Sequence, residues 1–364
     1  MRGMKFLSVI NIFAVFTALS LTLLSVPDAD ALVVDGLYVQ EIAVADQGDA
    51  ERLRAYQEGL TEVIIKVTGE ERWLQNGDVS RALRDAQSYV QEVTYRTSSG
   101  GAAPQTFIRV IFDRALVDRM LTTAGIPVWD RNRPSVLLWL TVQGADGQRE
   151  LLGSDSEHPV LALISEFSRK RGVPILLPLM DVEDRRNLPV DVAWSLDEQA
   201  IRNASARYGA DSVLSGRVLQ SPAGDLVGLW QFLFRERVET FDSVERDLAI
   251  YTNSALNRVT AHLATHFALA RQASTQSDER VTLRVEGVDD VTAYVDLLAY
   301  LQTLSVVQSV AASLLDGTSL ELDVQLSGST YLFTEFLSLG RDLVPDQLPA
   351  SDTSASVLHY RWVR

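Results

Sequence analysis

The sequence predicts a multi-domain protein of the α+β and α/β classes, with three folded units behind an N-terminal leader. Of its 364 residues, 31 form the predicted leader, and the remaining length suffices for two or three domains of ordinary size. Along the chain, segments whose apolar residues recur with the two-residue period of strands are interspersed with segments that have the 3.6-residue period of helices. A polar stretch at 272–277 marks a linker between the second and third units.

The leader, residues 1–31, has the order of a secretory signal peptide. Arg2 and Lys5 precede a largely apolar run from Phe6 to Val26. The run is also long enough to cross a bilayer, so an uncleaved inner-membrane anchor is the alternative. Because the two cations remain in the cytoplasm in either case, both interpretations place the folded body in the periplasm.

The predicted cleavage site follows the apolar run. Pro27 discourages continuation of the helix, and Ala29 and Ala31 supply the small side chains that a signal peptidase accepts. We therefore expect cleavage after Ala31, with Leu32 as the first mature residue. No later segment has comparable length and apolarity, so the membrane is involved only through this leader, and only if it is retained.

The amino-acid composition argues against several classes of function. The chain has no cysteine, which excludes disulfides, thiolate metal sites and thiol catalysis. Its formal net charge of -15 repels phosphate backbones, so we expect no nucleic-acid partner. Only three of the basic residues are lysines (Lys5, Lys66 and Lys170), a bias typical of either a GC-rich genome or a salt-adapted host.

The N-terminal unit, 32–130, is predicted to be a small α+β domain. A strand near Leu37–Val44 precedes a helix that Gly69 ends, and two strands at Val90–Thr97 and Thr106–Asp113 flank a glycine-containing turn. A closing helix then runs from Arg114 to Ala124.

The middle unit, 134–273, is predicted to be an α/β domain with a mixed sheet. Its first strand, Val136–Val142, is uninterruptedly apolar, which is typical of a strand covered on both faces. Ser195 and Glu198 form a capping box that predicts a helix over Leu196–Tyr208. A strand meander and a long helix over Leu248–Arg271 complete the unit.

The C-terminal unit, 278–364, is predicted to be ferredoxin-like. Its apolar segments follow the order βαββαβ, with helices at Asp289–Leu304 and Thr330–Leu343.

Several motifs resemble a known family. They are the leader, Asp35–Val39, Val67–Gly69, the hinge Gly125–Leu137 and Tyr208–Arg217. Together they resemble the proteobacterial envelope proteins catalogued as domain of unknown function twenty sixty-six. The Tyr208–Asp211 segment followed by an apolar strand also resembles the α/β domains of envelope assembly proteins, such as the TolB N-terminal domain and the curli secretion lipoprotein. The resemblance implies no established activity, so no functional residues are carried over from it.

The connector between the first two units contains Pro127, Trp129 and Pro134. Trp129 is the aromatic residue best placed to fix the relative orientation of the two units, although a hinge role is equally compatible. The other tryptophans are scattered over all three units, and we expect most of them to lie in cores or domain contacts.

Candidate chemistry is sparse, and we expect no catalytic residue, no cofactor and no metal. His262 and His266 are spaced i, i+4 on the long helix, but the glutamate of the metalloprotease motif and an acidic third ligand are missing. Asp181, Glu183 and Asp184 form an acidic cluster that the following Arg185 and Arg186 are expected to neutralise.

The sequence therefore favours a non-enzymatic scaffold or adaptor for protein–protein interaction in cell-envelope assembly or maintenance, with envelope proteins as partners. One alternative is a periplasmic hydrolase that uses carboxylates such as Asp181, Glu183 and Asp211. Another is a cell-wall or glycan-binding module that uses exposed aromatic side chains. The oligomeric state is left open.

Overall fold

The computed structural model describes residues 34–98, 105–129, 131–267, 279–304, 306–340, 342–346 and 357–363. It confirms the predicted fold class: a mixed α/β, multi-domain architecture with three separate sheets. The predicted leader with its cleavage residues Ala29, Ala31 and Leu32, and the linker 272–277, lie outside the described residues. None of the described helices combines the length and apolarity that crossing a bilayer requires.

The described part of the N-terminal unit contains three strands and three α-helices. In chain order they are β1 (Val39–Val44), α1 (Asp49–Thr68), α2 (Gly77–Arg84), β2 (Val90–Ser98), β3 (Gln105–Phe112) and α3 (Arg114–Thr123). The sheet is antiparallel in the order β1-β3-β2. Helix α1 buries Leu60, Val63 and Ile64 against it, and ends at Gly69, whose φ of 77° only glycine adopts without strain.

The middle unit contains a mixed six-stranded sheet. In chain order its elements are β4 (Val136–Gln143), β5 (Arg149–Leu152), α4 (Val160–Arg171), β6 (Ile175–Leu176), α5 (Val182–Asn187), α6 (Val190–Ser195), α7 (Glu198–Ser205), β7 (Ser212–Gln220), β8 (Leu226–Phe234), β9 (Arg237–Glu245) and α8 (Leu248–Phe267). The main strand order is β5-β4-β7-β8-β9, and β6 also pairs with β4.

Strand β4 pairs with three strands of this sheet: it is antiparallel to β5 and parallel to both β6 and β7. Its residues 136–141 are all buried, as its uninterrupted apolar run predicts. Leu138 and Leu140 face the core beneath α4 and α8, whereas Leu137 and Trp139 face the core beneath α7. Two helical layers thus cover the two faces of β4.

The capping-box prediction is wrong in detail. Leu196 has a φ of 56° and ends α6, and the cap of α7 is Asp197, whose carboxylate accepts the Ala200 amide at 2.8 Å. Ser195 instead donates to the Val192 carbonyl. A short helix therefore precedes α7, because Pro189 provides a start for α6 that the Ser195–Glu198 pattern does not reveal.

In its described residues, the C-terminal unit contains a five-stranded sheet and two helices. Its elements are β10 (Arg280–Glu286), α9 (Val291–Thr303), β11 (Val307–Asp316), β12 (Ser319–Leu326), α10 (Thr330–Leu339), β13 (Leu343–Pro345) and β14 (Val357–Trp362). The order β11-β12-β10-β14 agrees with the ferredoxin-like prediction. The structure differs from this prediction by an additional outer strand, β13, which pairs antiparallel with β14. With β13 preceding it in the chain, β14 runs parallel to β10.

The middle and C-terminal units share one hydrophobic cluster. The rings of Phe267 on α8 and Phe336 on α10 lie 6.0 Å apart. Glu335 on α10 accepts Arg235 Nη2 at 2.8 Å and lies 3.0 Å from His266 Nε2. The third unit is therefore packed against the second.

Candidate functional site

The predicted connector lies in the contact between the first two units. Trp129 is fully buried and its amide donates to the Val67 carbonyl at 2.7 Å. Pro134 is buried and Pro127 is half-buried. The indole of Trp129 also lies against Gly69 at the end of α1, where an added Cβ would approach the ring within 3.3 Å. These contacts tie the connector to the end of α1.

Arg133 is the central side chain of this junction, and sequence reasoning did not select it. Its guanidinium is fully buried, stacks over Trp129 at 4.2 Å and donates to carbonyls at the ends of two helices. Nη2 reaches Lys66 of α1 at 2.7 Å, and Nη1 reaches Arg171 of α4 at 2.9 Å. One cation thus stabilises the negative ends of helices from two units.

Lys66 and Glu62 lie beside this junction and are both partly desolvated. Burial lowers the pKa of Lys66 to about 8, and the neighbouring Arg133 adds to that effect. Burial also raises the pKa of Glu62. Partial burial of these two charged side chains therefore costs solvation free energy at the junction.

The acidic cluster at 181–184 is neutralised by Arg207, not by Arg185 and Arg186. Arg207 donates to both oxygens of Asp181 at 2.8 and 2.9 Å and to Asp184 at 3.1 Å. This hydrogen bonding holds the pKa of Asp181 at about 2. Asp184 is buried and also accepts the Tyr208 hydroxyl. The cluster holds α5 against the segment that follows α7.

Asp211, the third carboxylate of the hydrolase hypothesis, belongs to a different hydrogen-bond network from that of Asp181. One of its oxygens accepts the Ser135 amide at 2.7 Å and the Ser135 hydroxyl at 2.8 Å. These bonds join the starts of β4 and β7. The geometry thus engages the three proposed carboxylates in two separate structural networks.

The two helical histidines contact different carboxylates. His262 Nδ1 lies 3.3 Å from Glu239, and His266 Nε2 lies 3.0 Å from Glu335. In the described part of the chain, no three histidine, aspartate or glutamate side chains come together as a metal site would require. Both rings also make edge contacts with Phe234, so they are part of the packing around α8.

The tryptophans offer little exposed ring surface. Trp129, Trp139 and Trp230 are fully buried and Trp362 is buried. Trp73 and Trp194 are partly buried, and each lies beneath an arginine guanidinium: Arg72 at 4.6 Å and Arg149 at 4.3 Å.

The candidate functional site is the outer edge of β11. This strand pairs only with β12, so the backbone groups of its other side have no strand partner among the described residues. Asp316, the last residue, is its only charged residue. Leu314 and Leu315 are 52% and 65% exposed. Residues 309–312 pair regularly with 322–325, between two register shifts.

The other described outer strands are protected against strand addition. Proteins commonly protect sheet edges with charged side chains, prolines or very short strands. Here the protecting features are Glu41 of β1, Glu92 and Arg96 of β2, the two-residue length of β6, Arg149 and Glu150 of β5, Arg237, Glu239, Asp242 and Glu245 of β9, and Pro345 of β13. Strand β11 has no charged residue and no proline along nine successive residues, and its two register shifts leave a regular stretch at 309–312.

Strand β12 presents two carboxylates on the exposed sheet face next to this edge. Ala311 lies opposite Asp323 and Leu314 lies opposite Glu321 on β12. Arg284 lies 3.4 Å from Glu321, whereas Asp323 accepts only a long bond from Thr282 at 3.4 Å among the described contacts. The uncharged run of β11 is visible in the sequence, but its edge position depends on the sheet order.

Comparison with known families gives one match. Residues 31–130 match a family described as "Domain of unknown function (DUF8605)". These residues span the N-terminal unit from before β1 to just beyond Trp129. No curated protein matches the chain. The comparison therefore shows a domain of unknown function in the N-terminal unit, while the resemblances to family twenty sixty-six and to TolB remain proposals.

Proposed function

We propose that the protein is an exported, non-enzymatic scaffold or adaptor of the cell envelope that binds an extended segment of an envelope protein along β11. The single observation that carries this proposal is the uncharged, exposed outer strand described above. An added strand would hydrogen-bond to outward-facing amide and carbonyl groups of residues 309–315, which pair with no second strand among the described residues. Its successive side chains, which point to opposite faces of the sheet, would contact Leu314 and Leu315.

The export part of the proposal rests on the leader at 1–31. In this proposal the chain is a proteobacterial envelope protein similar to family twenty sixty-six, with a middle unit of the TolB type. The body lies in the periplasm after cleavage before Leu32, or faces the periplasm from an inner-membrane anchor if the leader is retained. The family match begins at residue 31, so the first thirty residues lie outside the matched domain.

The partner segment is expected to be cationic. Asp323 lies on β12 directly opposite Ala311 of the edge strand β11. The small Ala311 side chain leaves space through which a long side chain can reach Asp323. A lysine or arginine of the added strand can extend over Ala311 toward this carboxylate. The net charge of -15 favours the same partner chemistry through long-range attraction.

The test is photocrosslinking in living cells, with a photoreactive residue at position 311. We expect one discrete adduct with an envelope protein, and we expect Leu314→Lys to reduce its yield about tenfold, equivalent to ~1.4 kcal/mol of binding. Lysine at this position adds a charge to the edge and repels a cationic segment.

The matched control is Val244→Lys, because Val244 is a 61% exposed apolar residue on the charged outer strand β9. It should leave the adduct unchanged. The proposal fails if position 311 gives no adduct, if the adduct is only a dimer of this chain, or if both lysine variants reduce it equally.

A further inference from the structure

The middle unit contains a cleft at the carboxyl ends of its parallel strands β4 and β7. The cleft has a volume of about 460 Å³, a size suited to a small ligand. The chain leaves β4 toward β5 on one side and leaves β7 toward β8 on the other. Both connections are hairpins, and their turns, with Gly144 and Gly224, form part of the wall of the cleft beyond the strand ends.

The floor of the cleft is apolar, and charged side chains lie at both of its ends. Val142, Val218, Leu226 and Leu248 line it from the side of the main core. Glu150 lies at the β5 end together with Asp146 and Arg149, and the Arg149 guanidinium is engaged by Asp191, to which its Nη1 donates at 3.1 Å. At the other end Arg246, which follows β9 in the chain, reaches back to the start of β8, where its Nε donates to Asp225 at 2.7 Å and the guanidinium lies at the rim.

The spacing between the charged ends fits a short extended peptide. The line from β5 across β4 and β7 to β8 spans three strand spacings, or about 14 Å. An extended chain rises about 3.4 Å per residue, so four residues cover that distance. A free amino group at Glu150 would then place a terminal carboxylate near Arg246.

Two polar side chains between the ends suit a peptide backbone. Gln220, at the end of β7, carries both an amide donor and a carbonyl acceptor. The Nδ1 atom of His158 accepts the Val160 amide at 3.2 Å, so the neutral ring carries its hydrogen on Nε2. Burial lowers the pKa of His158, which favours the neutral ring, whose Nε2 hydrogen can be donated to a carbonyl.

From this arrangement we propose that the cleft binds a short peptide of about four residues with free termini, its amino end at Glu150 and its carboxylate at Arg246. The ligand is apolar in its central side chains. This site is separate from the β11 edge and does not depend on the proposed adaptor function.

The test is calorimetric titration of the full mature chain with the tetrapeptide Ala-Leu-Leu-Ala, in its free form and with either terminus blocked. We expect the free peptide to bind, and we expect acetylation of its amino group or amidation of its carboxylate each to weaken binding about tenfold. Glu150→Gln should abolish only the preference for the free amino group. Arg246→Gln should abolish only the preference for the free carboxylate.

The control is Glu236→Gln, since Glu236 is exposed on the β8–β9 turn outside the cleft. This variant should bind all peptide forms as the parent chain does. Absence of binding at millimolar peptide, equal binding of free and blocked peptides, or an exchange of the two variant effects would overturn the proposal.

Discussion

At the scale of single residues, Arg133 has the most consequential position. Its guanidinium is fully buried and donates to the carbonyls of Lys66, Trp129, Arg171 and Gly172. Charged donors of this kind satisfy helix-end carbonyls that burial hides from water. The contact between the first two units thus depends strongly on one side chain.

We expect Arg133→Met to lower the free energy of unfolding by about 3 kcal/mol, because it leaves several buried carbonyls without their donor. The measurement is urea denaturation followed by tryptophan fluorescence, which includes the buried Trp129. Arg119→Met, on the exposed side of α3, should change stability by less than about 0.5 kcal/mol. Equal effects of the two variants would contradict the role assigned to Arg133.

Arg133 also illustrates a limit of sequence reasoning. The sequence points to Trp129 because large aromatic residues in connectors commonly pack. Arginine is the commonest basic residue of this chain, so no local signal separates Arg133 from the others. The same limit applies to Arg207, which neutralises Asp181 from 26 residues away, while the adjacent Arg185 and Arg186 do not.

At the scale of elements, the end of α1 should make stability depend on pH. The pKa of Lys66 is lowered by burial from 10.5 to about 8. Below pH 8 the lysine is charged in both states, and its burial opposes folding. Between pH 8 and 10.5 the unfolded chain binds more protons than the folded chain, so Lys66 contributes a rise in stability with increasing pH.

The measurement is the unfolding free energy at pH 7 and pH 9.5 for the parent chain and for Lys66→Met. The difference between the two proteins should shift by about 2 kcal/mol in favour of the parent over this interval. Lys170→Met, at a lysine half exposed on α4, should produce no such shift. A pH-independent difference for Lys66→Met would refute the assigned effect of burial.

Elements also show what local patterns can and cannot predict. The apolar run of β4 predicted burial on both faces, because only a central strand tolerates it. The Ser195–Glu198 pattern misplaced a helix start, because Asp197 competes for the same cap. Local patterns do not reveal the short strands β5 and β13 or the edge position of β11, since pairing between distant segments decides these features.

At the scale of the whole molecule, the leader predicts where the mature chain begins. We expect the periplasmic protein released by osmotic shock to start at Leu32 by amino-terminal sequencing. Ala31→Tyr should retain the leader, because a bulky side chain does not fit the signal peptidase pocket. Val33→Tyr, two residues beyond the cleaved bond, should be processed as the parent chain is.

Two other results would be informative for this prediction. Intact chain in the membrane fraction of the parent strain would favour the inner-membrane anchor. Intact chain free in the cytosol would remove export and the envelope role together.

The position of Arg133 also has a consequence for biosynthesis. The matched domain ends at residue 130, yet Arg133 and Arg171, which hydrogen-bond the end of α1, come later in the chain. Domains generally fold in the order of their synthesis. The first unit therefore reaches its full stability only after the chain through residue 172 has emerged and folded against it. A fragment cut at residue 130 would remain less stable than the same residues in the complete protein.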